Sequence, residues 1–351
     1  MNRTKITSVV LTLFTAAVVA AGLATPCIAQ DLTAPASSST GAQAIQVHYH
    51  TVKIDGVNIF YREAGPKDAP AVLLLHGFPA SSFMFRNLIP ILATRYHVIA
   101  PDYPGYGQSD EPDHTTFQYT FDHLASIVDQ LTQILKLEKF TLYVQDYGAP
   151  VGYRIASAHP ERITGIVVQN GNAYIEGLPD GFWGGPIKDY WADHSTEKRA
   201  KLQVLLNLDG YKGQYLTGVK DPTAVSPDAW TLDTANLNRP GNMEIQLDLL
   251  LDYSTNPPLY PKWQEYFRTY QPPMLIAWGK NDFIFPPTGA EPYKRDIKDL
   301  DFHLLDTGHF ALEDKSNEIG DLMLKFLDKH AGKQQAAAMM PNDNTHATDA
   351  P

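Results

Sequence analysis

The run Leu142-Tyr143-Val144-Gln145-Asp146-Tyr147-Gly148-Ala149-Pro150 constrains this chain more than any other. An apolar stretch suited to a buried strand leads into a tight turn, and a helix follows. That is the outline of a nucleophile elbow, in which one side chain is displayed at the tip of a sharp strand-to-helix turn. The tip residue is Asp146, not serine. A serine attacks carbonyl carbon. A carboxylate can also displace a leaving group from saturated carbon and form an ester with the protein. An Asp beside a Gly is commonly an ordinary surface-turn residue, but the flanking strand and helix place this one at a sheet edge.

With 351 residues, 44% of them hydrophobic, the chain can bury a large core and carry an insertion. Its net charge of -11 argues against nucleic acid and against an anionic membrane surface as partners. At the N-terminus, Arg3 and Lys5 precede an apolar run from Val9 to Leu23, interrupted by Thr12, Thr15 and Gly22. Small residues follow, with a cleavage site after Ala29. The pattern is that of a secretory signal over residues 1–29, and export to the periplasm or medium is expected. The rival reading is a retained anchor, for which the run is short. Acylation at Cys27 fits poorly after Pro26. Cleavage would remove Cys27, the one cysteine, and leave a mature chain with neither thiol nor disulfide.

Residues 30–44 are rich in Ser, Ala and Thr and read as a flexible linker; residues 331–351 read as a disordered tail. Between them strands and helices alternate. Val47–Lys53 and Val57–Glu63 form a hairpin pattern with Asp55-Gly56 as its turn. Ala71–Leu75 is a continuous apolar run, suited to a strand buried on both faces. Phe83–Ala93 and Phe121–Leu137 have helical periodicity. His97–Ala100, Phe140–Gln145 and Ile163–Gln169 follow the strand pattern, with a helix over Gly148–Ala158. The alternation breaks from 172 to 258, which is rich in Gly, Pro, Trp and Tyr, with helical pieces at Ser195–Asn207 and Asn242–Tyr253. It resumes at Met274–Trp278, Phe302–Leu305 and a closing helix over Leu312–His330. The expected fold is α/β, a mostly parallel sheet flanked by helices. Its core spans 45–171 and 259–330, and a mainly helical cap over 172–258 follows the sixth strand. The cap should cover the carboxyl ends of the strands, where open α/β sheets place their sites.

Four landmarks occur in a fixed order: His76-Gly77-Phe78-Pro79, Gly105-Tyr106-Gly107-Gln108-Ser109-Asp110, the Asp146 elbow, and Gly308-His309-Phe310. Trp278-Gly279-Lys280-Asn281-Asp282 sits between the last two. In this order and spacing they resemble the α/β-hydrolase fold over about 47–330, in the branch shared by epoxide hydrolases and haloalkane dehalogenases. The resemblance implies Asp146 as nucleophile, His309 as the base that activates water against the alkylated Asp146, and Asp282 as the acid that orients His309. Some dehalogenases place that acid after the preceding strand. Here that region offers Asn170 and Asn172, with Glu176 as a distant fallback. The backbone N–H groups of Phe78 and Tyr147 are expected to converge on an Asp146 oxygen as an oxyanion hole, worth a few kcal/mol in the transition state.

The leaving group separates the two chemistries. An epoxide oxygen needs a phenol O–H as it opens; a halide needs indole or carboxamide N–H donors in an apolar pocket. Family epoxide hydrolases use two cap tyrosines, for which Tyr253 and Tyr190 are the candidates, with Tyr174, Tyr211 and Tyr215 also in the insert. Any of these can equally be cap packing. Trp183 and Trp191 keep a halide site open. Tyr147 stands where both groups commonly carry Trp, and Phe78 where many dehalogenases carry Asn. Ser109 precedes no elbow helix, so a serine hydrolase is not indicated. No metal-ligand cluster and no dinucleotide fingerprint is present, so no cofactor is expected. The reading is a hydrolase of a small apolar epoxide, whose partners are that substrate and water; a haloalkane dehalogenase is the alternative. A non-catalytic binding protein on the same scaffold is the remaining class.

Overall fold

A computed structural model describes residues 45–338, with side-chain surroundings for 45–330. The signal and linker readings, and residues 339–351 of the tail, lie outside the described residues. An eight-stranded sheet has the order β1-β2-β4-β3-β5-β6-β7-β8. The strands are β1 (Val47–Ile54), β2 (Val57–Ala64), β3 (Ala71–Leu75), β4 (His97–Pro101), β5 (Phe140–Gln145), β6 (Ile163–Gln169), β7 (Met274–Gly279) and β8 (Leu300–Leu305). β1 and β2 are antiparallel and joined through Asp55 and Gly56, both at positive φ, as an Asp-Gly hairpin turn requires. β2 pairs antiparallel with β4, and every later pairing is parallel. β3, β5 and β7 are buried or nearly so along their whole length, as continuous apolar strands between two helical layers must be.

Helices α1 (Leu88–Leu92), α2 (Phe121–Ile134) and α3 (Gly148–Ala158) belong to the first half of the core. The helix expected over Phe83–Ala93 is broken into a 3-10 turn, Ser82–Phe85, and the short α1. Pro90 has no N–H to donate to the Arg86 carbonyl, and its ring crowds that carbonyl. The cap is helical: α4 (Asp180–Trp183), α5 (Pro186–Ala192), α6 (Thr196–Leu202), α7 (Leu208–Leu216), α8 (Pro227–Leu237) and α9 (Asn242–Asp252). The single helix expected over Ser195–Asn207 stops earlier, because Asn207 caps α7 by accepting the Gly210 N–H at 2.9 Å. α5 and α8 each start with Pro at the first helical position, a start signal that the weak periodicity of the insert obscures. α10 (Tyr260–Tyr270), α11 (Tyr293–Asp296) and α12 (Leu312–Ala338) complete the core. α12 bends at Lys315 and runs eight residues past the predicted end at His330, through an Ala- and Gln-rich stretch of good helix formers.

The cap is bound to the strand ends by specific contacts. Asn242 Nδ2 donates to the Gly105 carbonyl at 2.7 Å, Tyr106 Oη to Gln246 Oε1 at 2.5 Å, and Asn281 Nδ2 to the Gly218 carbonyl at 2.9 Å. Tyr215 of α7 stacks on Phe310 with ring centroids 4.0 Å apart and donates to buried Asp233 of α8. No helix among the described residues is long and apolar enough to cross a membrane.

Candidate active site

The elbow is a close approach of three backbones. Asp146 has φ of 49°, a left-handed conformation costly for a residue with a Cβ. The turn fits because its neighbours are glycines. A Cβ on Gly148 would meet the Leu75 carbonyl oxygen at 2.2 Å, and one on Gly77 would meet Asp146 Cβ at 2.3 Å. α3 therefore starts against β3, and the Asp146 carboxylate is held over the His76-Gly77-Phe78-Pro79 turn. The Phe78–Pro79 peptide bond is cis. Buried His76 fixes that turn: Nδ1–H donates to the Gly77 carbonyl at 3.1 Å and Nε2 accepts the Tyr103 N–H at 3.3 Å. Burial pushes its pKa down to about 4, so this imidazole stays neutral.

Two backbone N–H groups meet the Asp146 carboxylate, as expected. Phe78 N–H donates to Oδ1 at 2.7 Å, and the Tyr147 N–H also bonds the carboxylate. Asp146 Oδ2 lies 3.8 Å from His309 Nε2. His309 Nδ1–H donates to Asp282 Oδ2 at 2.7 Å. Asp282 is an acceptor only, so this bond fixes the tautomer and leaves the Nε2 lone pair facing Asp146. The structure thus brings Asp146, Asp282 and His309 together, all buried. Burial drives the Asp146 pKa up to about 6, against the opposing pull of His309 and the two N–H donors. Burial alone would lower the His309 pKa, but the Asp282 charge and hydrogen bond, with Asp146, raise it.

Three amides support this group, and motif reading did not identify them. Asn170, at φ of 46°, donates Nδ2–H to Asp282 Oδ2 at 2.8 Å and accepts the Gly279 N–H at 2.9 Å. It occupies the position after β6 where an acid was sought, and it acts there as the donor that orients Asp282. Gln169 Nε2 donates to the His309 carbonyl at 2.8 Å. Gln145 Nε2 lies 3.0 Å from His309 Nε2. Asn172 binds the Tyr174 carbonyl, and Glu176 meets Arg295.

Above Asp146 is a cavity of about 220 Å³, whose lining includes Phe78, Asp146, Tyr147, Trp183, Leu250 and Ile284. Trp183 presents its ring, while its Nε1–H donates to the Ile284 carbonyl at 2.8 Å. The Trp191 Nε1–H donates to the Leu250 carbonyl at 2.8 Å. Both indole donors expected for a halide are thus taken by backbone. Tyr190 is absent from the cavity lining, and its hydroxyl accepts from Arg199 Nη1 at 2.8 Å, a partner that pattern reading cannot supply. The Tyr253 ring stacks on Trp183 at 4.6 Å and lies 5.8 Å from the Tyr147 ring, in a second layer behind the lining. Its hydroxyl is hydrogen-bonded with Tyr260, and burial and nearby charge, Asp146 included, hold it protonated. Tyr174 donates to Asp296 and Tyr215 to Asp233, so both are occupied in packing. Tyr211 packs edge-on against Phe78.

A family model described as alpha/beta hydrolase fold matches residues 70–316. The chain is similar to an uncharacterised hydrolase of Saccharomyces cerevisiae, 47% identical over 77% of this chain and 93% of that protein. It is 28% identical to a cis-3-alkyl-4-alkyloxetan-2-one decarboxylase of Shewanella oneidensis, over 77% of this chain and 85% of that one. A haloalkane dehalogenase of Psychrobacter cryohalolentis is 38% identical over a shorter segment, 32% of this chain and 38% of that enzyme. The solved haloalkane dehalogenase DbeA of Bradyrhizobium elkani shares the fold, with a TM-score of 0.67 at 24% identity over 82% of this chain and 99% of that one. The chain belongs to the α/β-hydrolase fold family, as a hydrolase related to haloalkane dehalogenases and to an oxetanone decarboxylase.

Proposed function

We propose that this hydrolase opens a small apolar epoxide by attack of Asp146, and that water activated by His309 then hydrolyses the resulting ester. The observation that carries this reading is the asymmetry of the Asp146 carboxylate. Oδ1 accepts the Phe78 N–H, while Oδ2 stands 3.8 Å from the base, under an apolar cavity. Oδ2 attacks the less hindered ring carbon, the C–O bond breaks, and the ring oxygen takes the Tyr253 phenol proton, which the phenolate recovers at the end of the cycle from the carboxylic acid that hydrolysis leaves on Asp146. In the second step water gives a proton to His309 Nε2 and its oxygen bonds Asp146 Cγ. Negative charge collects on Oδ1, which the Phe78 N–H meets, with the Tyr147 N–H bonded to the same carboxylate. Collapse releases the diol, whose oxygen recovers the proton from His309.

An epoxide is favoured over a haloalkane by the two occupied indoles. A halide entering this cavity would find the Trp183 and Trp191 N–H groups already donated to backbone. Tyr253 is the phenol we assign to the epoxide oxygen: its hydroxyl is kept protonated near Asp146, and to act it must turn from Tyr260 and from behind the lining towards the cavity. The Shewanella relative's named substrate class, an oxetan-2-one, is also a strained oxygen ring. The dehalogenase reading rests on the 38% identity over its shorter segment. The joined Asp146, Asp282 and His309, with Asp146 lining a cavity, support an enzyme over a binding protein. Export is part of the proposal and rests on the N-terminal pattern of residues 1–29. N-terminal sequencing of the chain recovered outside the cytoplasm should begin at Gln30; a chain retaining Met1 in the cytosolic fraction would contradict it.

Replacing His309 with Gln should leave alkylation intact and block ester hydrolysis. Intact mass after exposure to a terminal epoxide should show a gain equal to the whole epoxide, absent from an Asp146→Asn control. A gain equal to the alkyl group alone, seen only with a bromoalkane, would make the protein a dehalogenase and release Tyr253 from its role. No adduct with either reagent would sink the ester mechanism.

The two steps should separate in pH. Alkylation needs ionised Asp146, so its rate should fall as pH drops through about 6. Hydrolysis needs neutral His309, whose pKa is raised, so ester should accumulate on the acid side. Rapid-quench measurements from roughly one pH unit below to two above the Asp146 midpoint would show it. An alkylation rate flat across the window would contradict the assignment of Asp146.

A further inference from the structure

Gln145 immediately precedes the nucleophile, and its side chain is fully buried. In the neutral form of His309, Asp282 fixes the proton on Nδ1, so Nε2 is an acceptor and the Gln145 amide N–H, at 3.0 Å, donates to it. The other end of the same amide, Oε1, is buried and without a hydrogen-bond partner. Buried carbonyl oxygens are rarely left so, and an isolated one in a site marks a place where a ligand or water belongs. Its location is defined by Gly77. A Cβ placed there would lie 2.6 Å from Gln145 Oε1 and 2.5 Å from Asp146 Oδ1. The unpaired oxygen therefore borders the same point as the carboxylate oxygen in the oxyanion hole, with the base lone pair one amide width away.

This creates a conflict in the reaction. Water can be deprotonated only by the Nε2 lone pair, and in the free protein that lone pair is already bound by Gln145. We propose that Gln145 is a positioning residue for the second half-reaction, holding His309 in place until the ester forms and then anchoring the hydrolytic water through Oε1. The inference rests on the Asp146-ester reading. Water displaces the Gln145 N–H from Nε2, one of its protons points to Nε2 and the other to Oε1. The first goes to His309 as the water oxygen bonds Asp146 Cγ. The second stays on that oxygen, and Gln145 is chemically unchanged. Neither proton can wander, because the two acceptors hold the water's lone pair towards Cγ. A carboxamide suits both tasks, since it carries a donor and an acceptor on one rigid plane.

The test is single-turnover kinetics on Gln145→Met, which keeps the volume and removes both polar ends, and on Gln145→Glu. In Gln145→Met, alkylation by the epoxide should stay within about threefold of the parent. Ester hydrolysis should slow roughly ten- to hundredfold, the scale on which misplaced reactants cost rate. Its pH midpoint should move up, because the neutral imidazole has lost a donor. Gln145→Glu should move it up further, because an anion there favours the imidazolium. Unchanged hydrolysis in Gln145→Met would overturn the proposal. So would equal slowing of both steps with a fixed pH midpoint, which would mark a merely structural residue. His309→Gln run alongside separates the layers. Ester trapped there but not accumulating in Gln145→Met defeats the Gln145 proposal alone. No ester in His309→Gln defeats the ester reading itself.

Discussion

Everything in the site depends on one turn, the left-handed bend at Asp146 where β5 meets α3. A non-glycine residue held there costs on the order of 1–3 kcal/mol, which the surrounding structure must offset. It does so through contacts that only small neighbours allow. Gly148 lets α3 start against the β3 backbone, and Gly77 lets the carboxylate lie on the next loop. The bend turns Oδ1 into the Phe78 N–H and leaves Oδ2 near His309. Any relaxation of the bend would misplace both oxygens together, so the proposed nucleophile and oxyanion hole are one geometric unit.

Charge in the site is arranged around that bend. Burial would keep the Asp146 carboxyl neutral, yet the proposed attack needs it ionised. His309 and the two N–H donors pull its pKa back down to about 6, which leaves it mostly charged at neutral pH. The same base is held upright by a buried chain, Asn170 to Asp282 to His309, in which every carboxylate contact is a directed donor. The Ile284 N–H donates to the second Asp282 oxygen at 2.7 Å. Replacing this arrangement with water would cost orientation, because only a fixed acceptor at Nδ1 keeps the proton off Nε2 and aims its lone pair at the Gln145–Asp146 side.

The core is readable from its continuous apolar strands, and the Asp146, Asp282 and His309 set from the resemblance of the motifs at strand ends to a known family, since β8 itself is only partly apolar. β5 announces Asp146, β7 announces Asp282, and the segment after β8 carries His309. The supporting amides were not readable, since their partners are remote in sequence: Gln145 meets His309 across 164 positions and Asn170 meets Asp282 across 112. In the sequence Asn170 shows only the charge it lacks, while in the fold it supplies a donor to Asp282. The cap was harder still. Its helices are short, and two of them start on prolines, so periodicity is weak. Tyrosine and tryptophan there are distinguished only by where their polar atoms go. Arg199 engages Tyr190, and backbone carbonyls engage both indoles, facts that composition cannot contain.

The central claim is that a covalent bond forms at Asp146 and that water attacks the protein, not the substrate. A single turnover with excess protein in water labelled with oxygen-18 tests it directly. The account predicts label in the peptide bearing Asp146, in one carboxyl oxygen, and an unlabelled first-turnover product whose new oxygen came from the side chain. Label in the first-turnover product with an unlabelled Asp146 would mean that water attacks the substrate itself, and would contradict the account.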